Sequence, residues 1–198
     1  VATQTTYTFG AFTMPRAGLF VFVVVCETGV ASRTFNSATV NGVGVTIHAN
    51  QAGGFNSIAT SIAAICSIPL SAGSTGNIAV TFSNNMTVCN VAGYALLDLV
   101  SNTPTATAGN ATSVAGAGAT SLSTTINIPG NGILIGAASA VNQTITLSGI
   151  TQDATSDVSV LKSAVGSNHQ MTAETGRSVS ASHAAPAGSF AIAFAAWN

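Results

Sequence analysis

Few side chains in this sequence could act as acids, bases or metal ligands. Asp153 and Asp157 are four residues apart, a spacing that could serve a pair of glycosidase carboxylates or a Ca²⁺ site. We favour the alternative that both are loop acids that cap turns and keep the surface hydrated. Glu27 and Arg33 follow one apolar stretch, and we expect them to form a surface ion pair worth at most about 1 kcal/mol.

The histidines do not form a recognisable site either. His48, His169 and His183 are isolated, and no His-x-x-x-His or His/Cys cluster has metal-ligand spacing. There is no Gly-x-Ser-x-Gly motif for a nucleophile. The glycine pairs at 42–44 and 130–132 precede no predicted helix, so they do not indicate phosphate binding. The sequence therefore predicts no catalytic residue, no metal, no cofactor and no enzyme.

The three cysteines leave two interpretations open. Cys26 and Cys66 lie in apolar, strand-like runs, and no Cys-x-x-Cys pair occurs. We expect Cys26, Cys66 and Cys89 to be small buried apolar side chains. One disulfide plus a free thiol is the alternative, because the odd number and the spacing define no disulfide framework.

Charge is scarce over the whole chain. Nine of 198 residues are charged, and the net charge is −1, whereas charged residues usually make up about 25% of a soluble domain. Four scattered basic residues cannot supply the phosphate contacts of a nucleic-acid-binding protein. No basic amphipathic stretch and no apolar run of bilayer length occurs, so we expect neither nucleic acid nor a membrane as partner. A neutral surface is better tolerated in an assembly, where neighbours cover it.

The elements that must position these residues are predicted to be β-strands, since helix signals are almost absent. Leu19–Cys26 and Val91–Val100 are apolar on both faces and are predicted to be central strands. The predicted strands are Tyr7–Met14, Leu19–Cys26, Ala38–His48, Ile58–Ile68, Asn77–Phe82, Val91–Val100, Ser123–Ile128, Ile133–Ala138, Thr144–Ile150, Asp157–Ser163 and Phe190–Trp197. The predicted core side chains are Phe20, Phe22, Val24, Ile62, Ile78, Val80, Phe82, Tyr94, Leu96, Ile133, Ile135, Ile192, Phe194 and Trp197.

Four of the five prolines occur in one recurring pattern. A strand ends in proline, a glycine follows, and a new apolar strand begins, at residues 15–18, 69–73, 129–132 and 186–188. Proline has no N–H and stops a strand ladder, and glycine supplies the positive φ of a tight reversal. We interpret the pattern as hairpin-like reversals, which imply a mostly antiparallel sheet.

These signals together predict an all-β chain, a mostly antiparallel β-sandwich or jelly roll forming a single domain over residues 1–198. Residues 34–43 resemble residues 144–153, so the segments 1–101 and 124–198 are candidates for weakly similar halves. The polar segment 102–123 joins them. It could be a flexible linker, but we favour an extended polar strand lying along the sandwich.

Several stretches carry a resemblance to a known class of protein. They are Thr39-Val-Asn-Gly-Val, the segment at 68–83, Ala92-Gly-Tyr-Ala-Leu and the ending at 188–197. The chain resembles small β-sandwich structural proteins from the virions of tailed bacteriophages. The resemblance implies a role on the virion surface, as a capsid decoration, head fibre or tail-associated protein, and supplies no catalytic residue.

We therefore expect a non-enzymatic structural protein of a virus particle, a decoration or fibre subunit. It would act by packing against copies of itself and other virion proteins. A receptor- or glycan-binding module is one alternative, and it would require an exposed groove with an aromatic and several Asn or Asp side chains. A pilin-like filament subunit is another, in which residues 1–12 pair with a neighbouring chain.

Overall fold

A computed structural model describes residues 3–30, 32–55, 59–112, 119–141, 143–158, 161–184 and 189–198. All regular elements in these ranges are β-strands paired antiparallel, so the predicted fold class is confirmed. The strands are β1 (Gln4–Thr13), β2 (Gly18–Thr28), β3 (Phe35–Val40), β4 (Val43–Gly44), β5 (Thr46–Phe55), β6 (Ala59–Leu70), β7 (Thr75–Met86), β8 (Val88–Leu96), β9 (Ala106–Ala111), β10 (Ser121–Ile128), β11 (Gly132–Val141), β12 (Thr146–Ser148), β13 (Thr151–Val158), β14 (Leu161–Gln170), β15 (Glu174–Ser182) and β16 (Phe190–Trp197).

The strands form four sheets stacked as layers. Sheet A has the order β1-β7-β3-β4, sheet B β5-β6-β2-β8, sheet C β13-β14-β11-β16-β9 and sheet D β10-β15-β12. Sheets A and B enclose one apolar core, sheets C and D enclose a second, and a third lies between sheets B and C. The chain thus has two stacked sandwiches where the sequence predicted one pair of sheets.

The two sandwiches share one strand order. Matching the strands in chain order gives the same neighbours in sheets A and D, and the same neighbours in sheets B and C. The matched strands are β1 with β10, β2 with β11, β3 with β12, β5 with β13, β6 with β14, β7 with β15 and β8 with β16. The similar segments 34–43 and 144–153 contribute the matched strands β3 and β12, which pair with β7 and β15. Strands β4 and β9 have no counterpart among the described strands.

The proline–glycine pattern does not form hairpins, so that interpretation is wrong. Residues 15–18 join β1 of sheet A to β2 of sheet B, and residues 69–73 join β6 of sheet B back to β7 of sheet A. Residues 129–132 likewise join sheet D to sheet C. Proline and glycine specify a reversal, but not whether the next strand lies in the same sheet or in the facing one. The fourth copy, at 186–188, lies outside the described residues.

The strand predictions fail in several places. The predicted strand Ala38–His48 spans the end of β3, all of β4 and the start of β5. Strand β8 is an edge strand, although its apolar faces predicted a central position. The predicted strand Asp157–Ser163 spans the end of β13 and the start of β14, and the polar strand β15 was missed. The polar segment 102–123 does contain the favoured extended strand, β9, although residues 113–118 lie outside the description.

The predicted core side chains are buried except Tyr94 and Ile133, which are half-buried. They divide among the three cores. The middle core explains why the longest apolar runs are continuous, because alternate residues of β2 and β16 face a sandwich core on one side and the middle core on the other.

Candidate functional site

The two aspartates that are four residues apart engage different partners. Asp153 accepts a hydrogen bond of 3.0 Å from the Tyr94 hydroxyl, and Asp157 forms an ion pair with Lys162, its cross-strand neighbour. Both lie in strand β13, so the expectation of loop acids is wrong. Four residues of extended strand span about 13 Å, and the carboxylates do not converge on one point.

Glu27 is not a surface group, so the predicted surface ion pair with Arg33 is wrong. Strand β2 continues past Cys26, and Glu27 is completely buried on the face that meets sheet C. Neither carboxylate oxygen has a hydrogen-bond partner in the described part of the chain. Burial raises the pKa of Glu27 to about 7. Its cross-strand neighbour Ser61 bonds instead with the Ser189 hydroxyl, 2.6 Å away.

The histidines lie apart and make structural contacts. The Nε2 atom of His48 is 2.7 Å from the Ser67 hydroxyl, its ring packs edge-on against Trp197, and burial lowers its pKa. His183 is buried and its ring packs on Phe190, whereas His169 is exposed on β14. Among the described residues, no three His, Cys, Asp or Glu side chains lie close enough to hold a metal ion.

Cys26 and Cys89 form a disulfide, and Cys66 is free and buried. The favoured prediction of three unlinked apolar side chains is therefore wrong, and the alternative of one disulfide and one thiol is correct. Burial raises the pKa of the Cys66 thiol. The disulfide joins β2 to β8 at directly opposed positions. No sequence signal identified it, because the pairing of these two strands was not predicted.

Most charged groups neutralise one another. Six of the nine charged side chains form three ion pairs: Arg16 with Asp98 at 2.8 Å, Lys162 with Asp157, and Arg177 with Glu174 at 2.6 Å. With Glu27 buried, the surface carries almost no uncompensated charge.

The candidate site is the β8 edge, defined as Asn90–Ala95. On one side β8 pairs with β2, and no described strand pairs with its other side. The Cα atoms of Cys26 and Cys89 are 4.2 Å apart, the short separation of a non-hydrogen-bonded antiparallel pair. The backbone N–H and C=O groups of the alternate residues Val91, Gly93 and Ala95 consequently point away from β2 and can accept another strand.

A cleft flanks each face of the β8 edge. The first has a volume of about 320 Å³, lies between β8 and β1, and is lined by Phe9, Phe12, Phe20, Ile78 and Val91 among others. The second has a volume of about 260 Å³, and strands β13 and β14 form its other wall. Neither lining contains a charged residue.

Hydrogen bonds connect β8 to one wall of the second cleft. The Asn90 amide donates to the Ser156 hydroxyl at 2.7 Å, and the Tyr94 hydroxyl donates to Asp153. These bonds hold β8 against β13 while its backbone edge stays open. Sequence reasoning missed the edge, because the apolar pattern of residues 91–100 indicated a central strand.

The sequence matches no protein-family model and no curated protein. No helix in the described ranges is long and apolar enough to cross a membrane. The function is therefore inferred from the β8 edge, its two clefts and the distribution of charge.

Proposed function

We propose that this chain is a non-enzymatic structural protein of a virus particle. It would be a capsid decoration or fibre subunit of a tailed bacteriophage, placed at the virion surface and packed against copies of itself and other virion proteins. The β8 edge carries the proposal: its outer side pairs with no described strand, it bears no charge, and a cleft without charged residues lies on each face.

An open strand edge is a site of association. Unpaired N–H and C=O groups template pairing with another chain, and soluble proteins usually protect such edges with charges, prolines or bulges. The segment Asn90–Ala95 contains neither charge nor proline. This supports a protein whose edge is covered by a partner.

The distribution of charge supports close packing of many copies. A net charge near zero removes the repulsion that keeps soluble proteins apart. Here the net charge is −1, and three ion pairs cancel most of the local charge as well. Neighbouring copies can therefore approach without an electrostatic cost.

The resemblance of residues 68–83 and 188–197 to phage structural proteins supports the virion as the location. The glycan-binding and filament alternatives stay predictions. Asn90 and Tyr94 supply the amide and the aromatic of a glycan groove, but both are engaged with β13.

The test is to locate the chain on particles of the virus that encodes it. We expect cryo-electron microscopy to show the chain at symmetric surface positions, with contacts that bury more than about 1,000 Å² each. Particles from a deletion mutant are the control, and they should regain the density when purified chain is added. A chain that is absent from particles, stays monomeric at high concentration and does not bind the mutant particles would contradict the proposal.

A further inference from the structure

Strand β9 occupies, in the C-terminal sandwich, the position beside β8 that no described strand fills. The proline–glycine pattern aligns Gly18 with Gly132, and therefore Leu19 with Ile133. Leu19 pairs across the sheet with Leu96, and Ile133 pairs with Trp197, so Leu96 is equivalent to Trp197. This register matches the β8 edge, Asn90–Ala95, with residues 191–196 of β16. Those are the residues that pair antiparallel with β9.

The contacts of β9 show what chemistry the position accepts. Ala106 and Ala108 pack against the core between sheets C and D. The Asn110 amide donates to the Ser123 carbonyl of β10, at 3.1 Å. A Cβ atom on Gly109 would come within 2.6 Å of the Gln51 side chain on β5. The occupant is thus a narrow, uncharged strand with small apolar side chains on the core face.

The same two walls exist beside β8. Strand β10 corresponds to β1, which bounds the first cleft, and β5 corresponds to β13, which bounds the second. The N-terminal sandwich therefore has the frame that holds β9 in the C-terminal sandwich, without a described strand inside it.

We propose that the β8 edge accepts an extended, uncharged strand from a neighbouring polypeptide of the assembly. The strand runs antiparallel to β8 and bonds to the backbone of Val91, Gly93 and Ala95. Its alternate apolar side chains enter the first cleft. This inference rests on the proposed function, since the neighbour is a particle component.

The walls favour a single donated strand over the sheet edge of a second copy. Strands β1 and β13 flank β8 on its two faces, so a preformed sandwich would have to bring its own facing sheets into the same space. An extended segment needs only the width of one strand, about 4.8 Å in the plane of the sheet. The disulfide between Cys26 and Cys89 fixes β8 before the strand arrives, which lowers the ordering cost of docking.

The first experiment supplies the strand within the same chain. A copy of residues 103–120 replaces residues 1–3, which gives the copied strand the same spacing to β1 that β9 has to β10. We expect amide hydrogen exchange at Val91, Gly93 and Ala95 to slow by about 100-fold or more. In the matched control, the copied segment carries Ala106→Asp and Ala108→Asp, and these amides should exchange as in the native chain. Equal exchange in all three proteins would overturn the proposal.

The second experiment blocks the edge. Ala95→Lys places a charge at the exposed edge, whereas Thr125→Lys adds the same charge to an exposed residue of β10. We expect A95K and the strand-supplied chain to bind deletion-mutant particles at least about 10-fold more weakly than native chain, and T125K to bind within about 2-fold. Native binding by A95K and by the strand-supplied chain refutes the docking strand and leaves the proposed function intact. If native chain itself does not bind, the proposed function fails, and the exchange experiment still decides whether the edge accepts a strand.

Discussion

The two sandwiches secure equivalent strands by different means. Strand β16 lies between β11 and β9, with hydrogen-bonded neighbours on both sides. Among the described strands, β8 has one such neighbour, β2, to which the Cys26–Cys89 disulfide also joins it. The positions that match these cysteines are Ala140 and Phe190, which face each other without a covalent bond. The comparison teaches that a disulfide joins the strand that has only one neighbouring strand in the described part of the chain.

Removing the disulfide should have the largest effect. The variant C26A/C89A opens a loop with a sequence separation of 63, and the chain-entropy estimate for such a loop is a loss of about 4 kcal/mol in unfolding free energy. Urea unfolding followed by Trp197 fluorescence measures it. Cys66→Ala is the control, since it keeps the disulfide. If the double variant is as stable as the control, β8 does not depend on its covalent anchor.

The next largest effect concerns Glu27, whose matched position holds Val141. The folded pKa of about 7 lies above the usual value of 4.5, so the folded state binds the proton more tightly. The contribution of Glu27 protonation to the unfolding free energy is complete below pH 4.5. It is lost as the pH rises through 7, which lowers the unfolding free energy by about 3 kcal/mol. Glu27→Gln should remove this slope. Parallel pH profiles of unfolding free energy for the two proteins would show that the carboxyl is not buried as described.

A smaller difference should separate two matched apolar positions. Ile192 on β16 is completely buried, whereas Val91 on β8 is half-buried at the open edge. Ile192→Ala should cost about 3 kcal/mol and Val91→Ala about 1 kcal/mol of unfolding free energy. Denaturant titration of both variants checks this. Equal costs would mean that β8 and β16 are equally covered at these positions.

The smallest effect concerns the hydrogen bond between Tyr94 of β8 and Asp153 of β13. Burial and the hydrogen bond to Asp153 raise the pKa of Tyr94. Tyr94→Phe should lower the unfolding free energy by about 1 kcal/mol. A double-mutant cycle with Asp153→Ala, which removes the acceptor, isolates the bond. A coupling energy of zero would show that the two sandwiches are not joined through this pair.

The sequence predicted which strand faces are buried better than it predicted which strands lie at the edge of a sheet. Leu19–Cys26 was placed correctly as a central strand, because both of its faces are apolar and both are covered. The same argument misplaced β8, in which Gly93 and Ala95 are exposed and whose outer backbone edge pairs with no described strand. Side-chain patterns report what covers the faces of a strand and say nothing of its lateral partners. For the same reason neither the disulfide between β2 and β8 nor the candidate edge could be predicted.

Polar strands and buried charge were missed for a related reason. Strand β15 alternates buried Val179 and Ala181 with serines on its other face, which resembles a loop in composition. The sequence predicts that the strand ends before Glu27, whereas β2 continues and Glu27 lies on the face that meets sheet C. Local composition cannot show that a sheet from the other half of the chain covers a strand.

The position of β16 in chain order has a consequence for biosynthesis. Its residues alternate between the core of the C-terminal sandwich and the middle core, yet it follows every other described strand. Domains that emerge first from the ribosome fold first, so sheets A and B can close while β16 is still being translated. Until it arrives, Ala63 and Ile65 of β6 lack the alanines of β16 that pack across the middle core. The nascent chain therefore exposes part of the apolar face of sheet B until the last strand is complete.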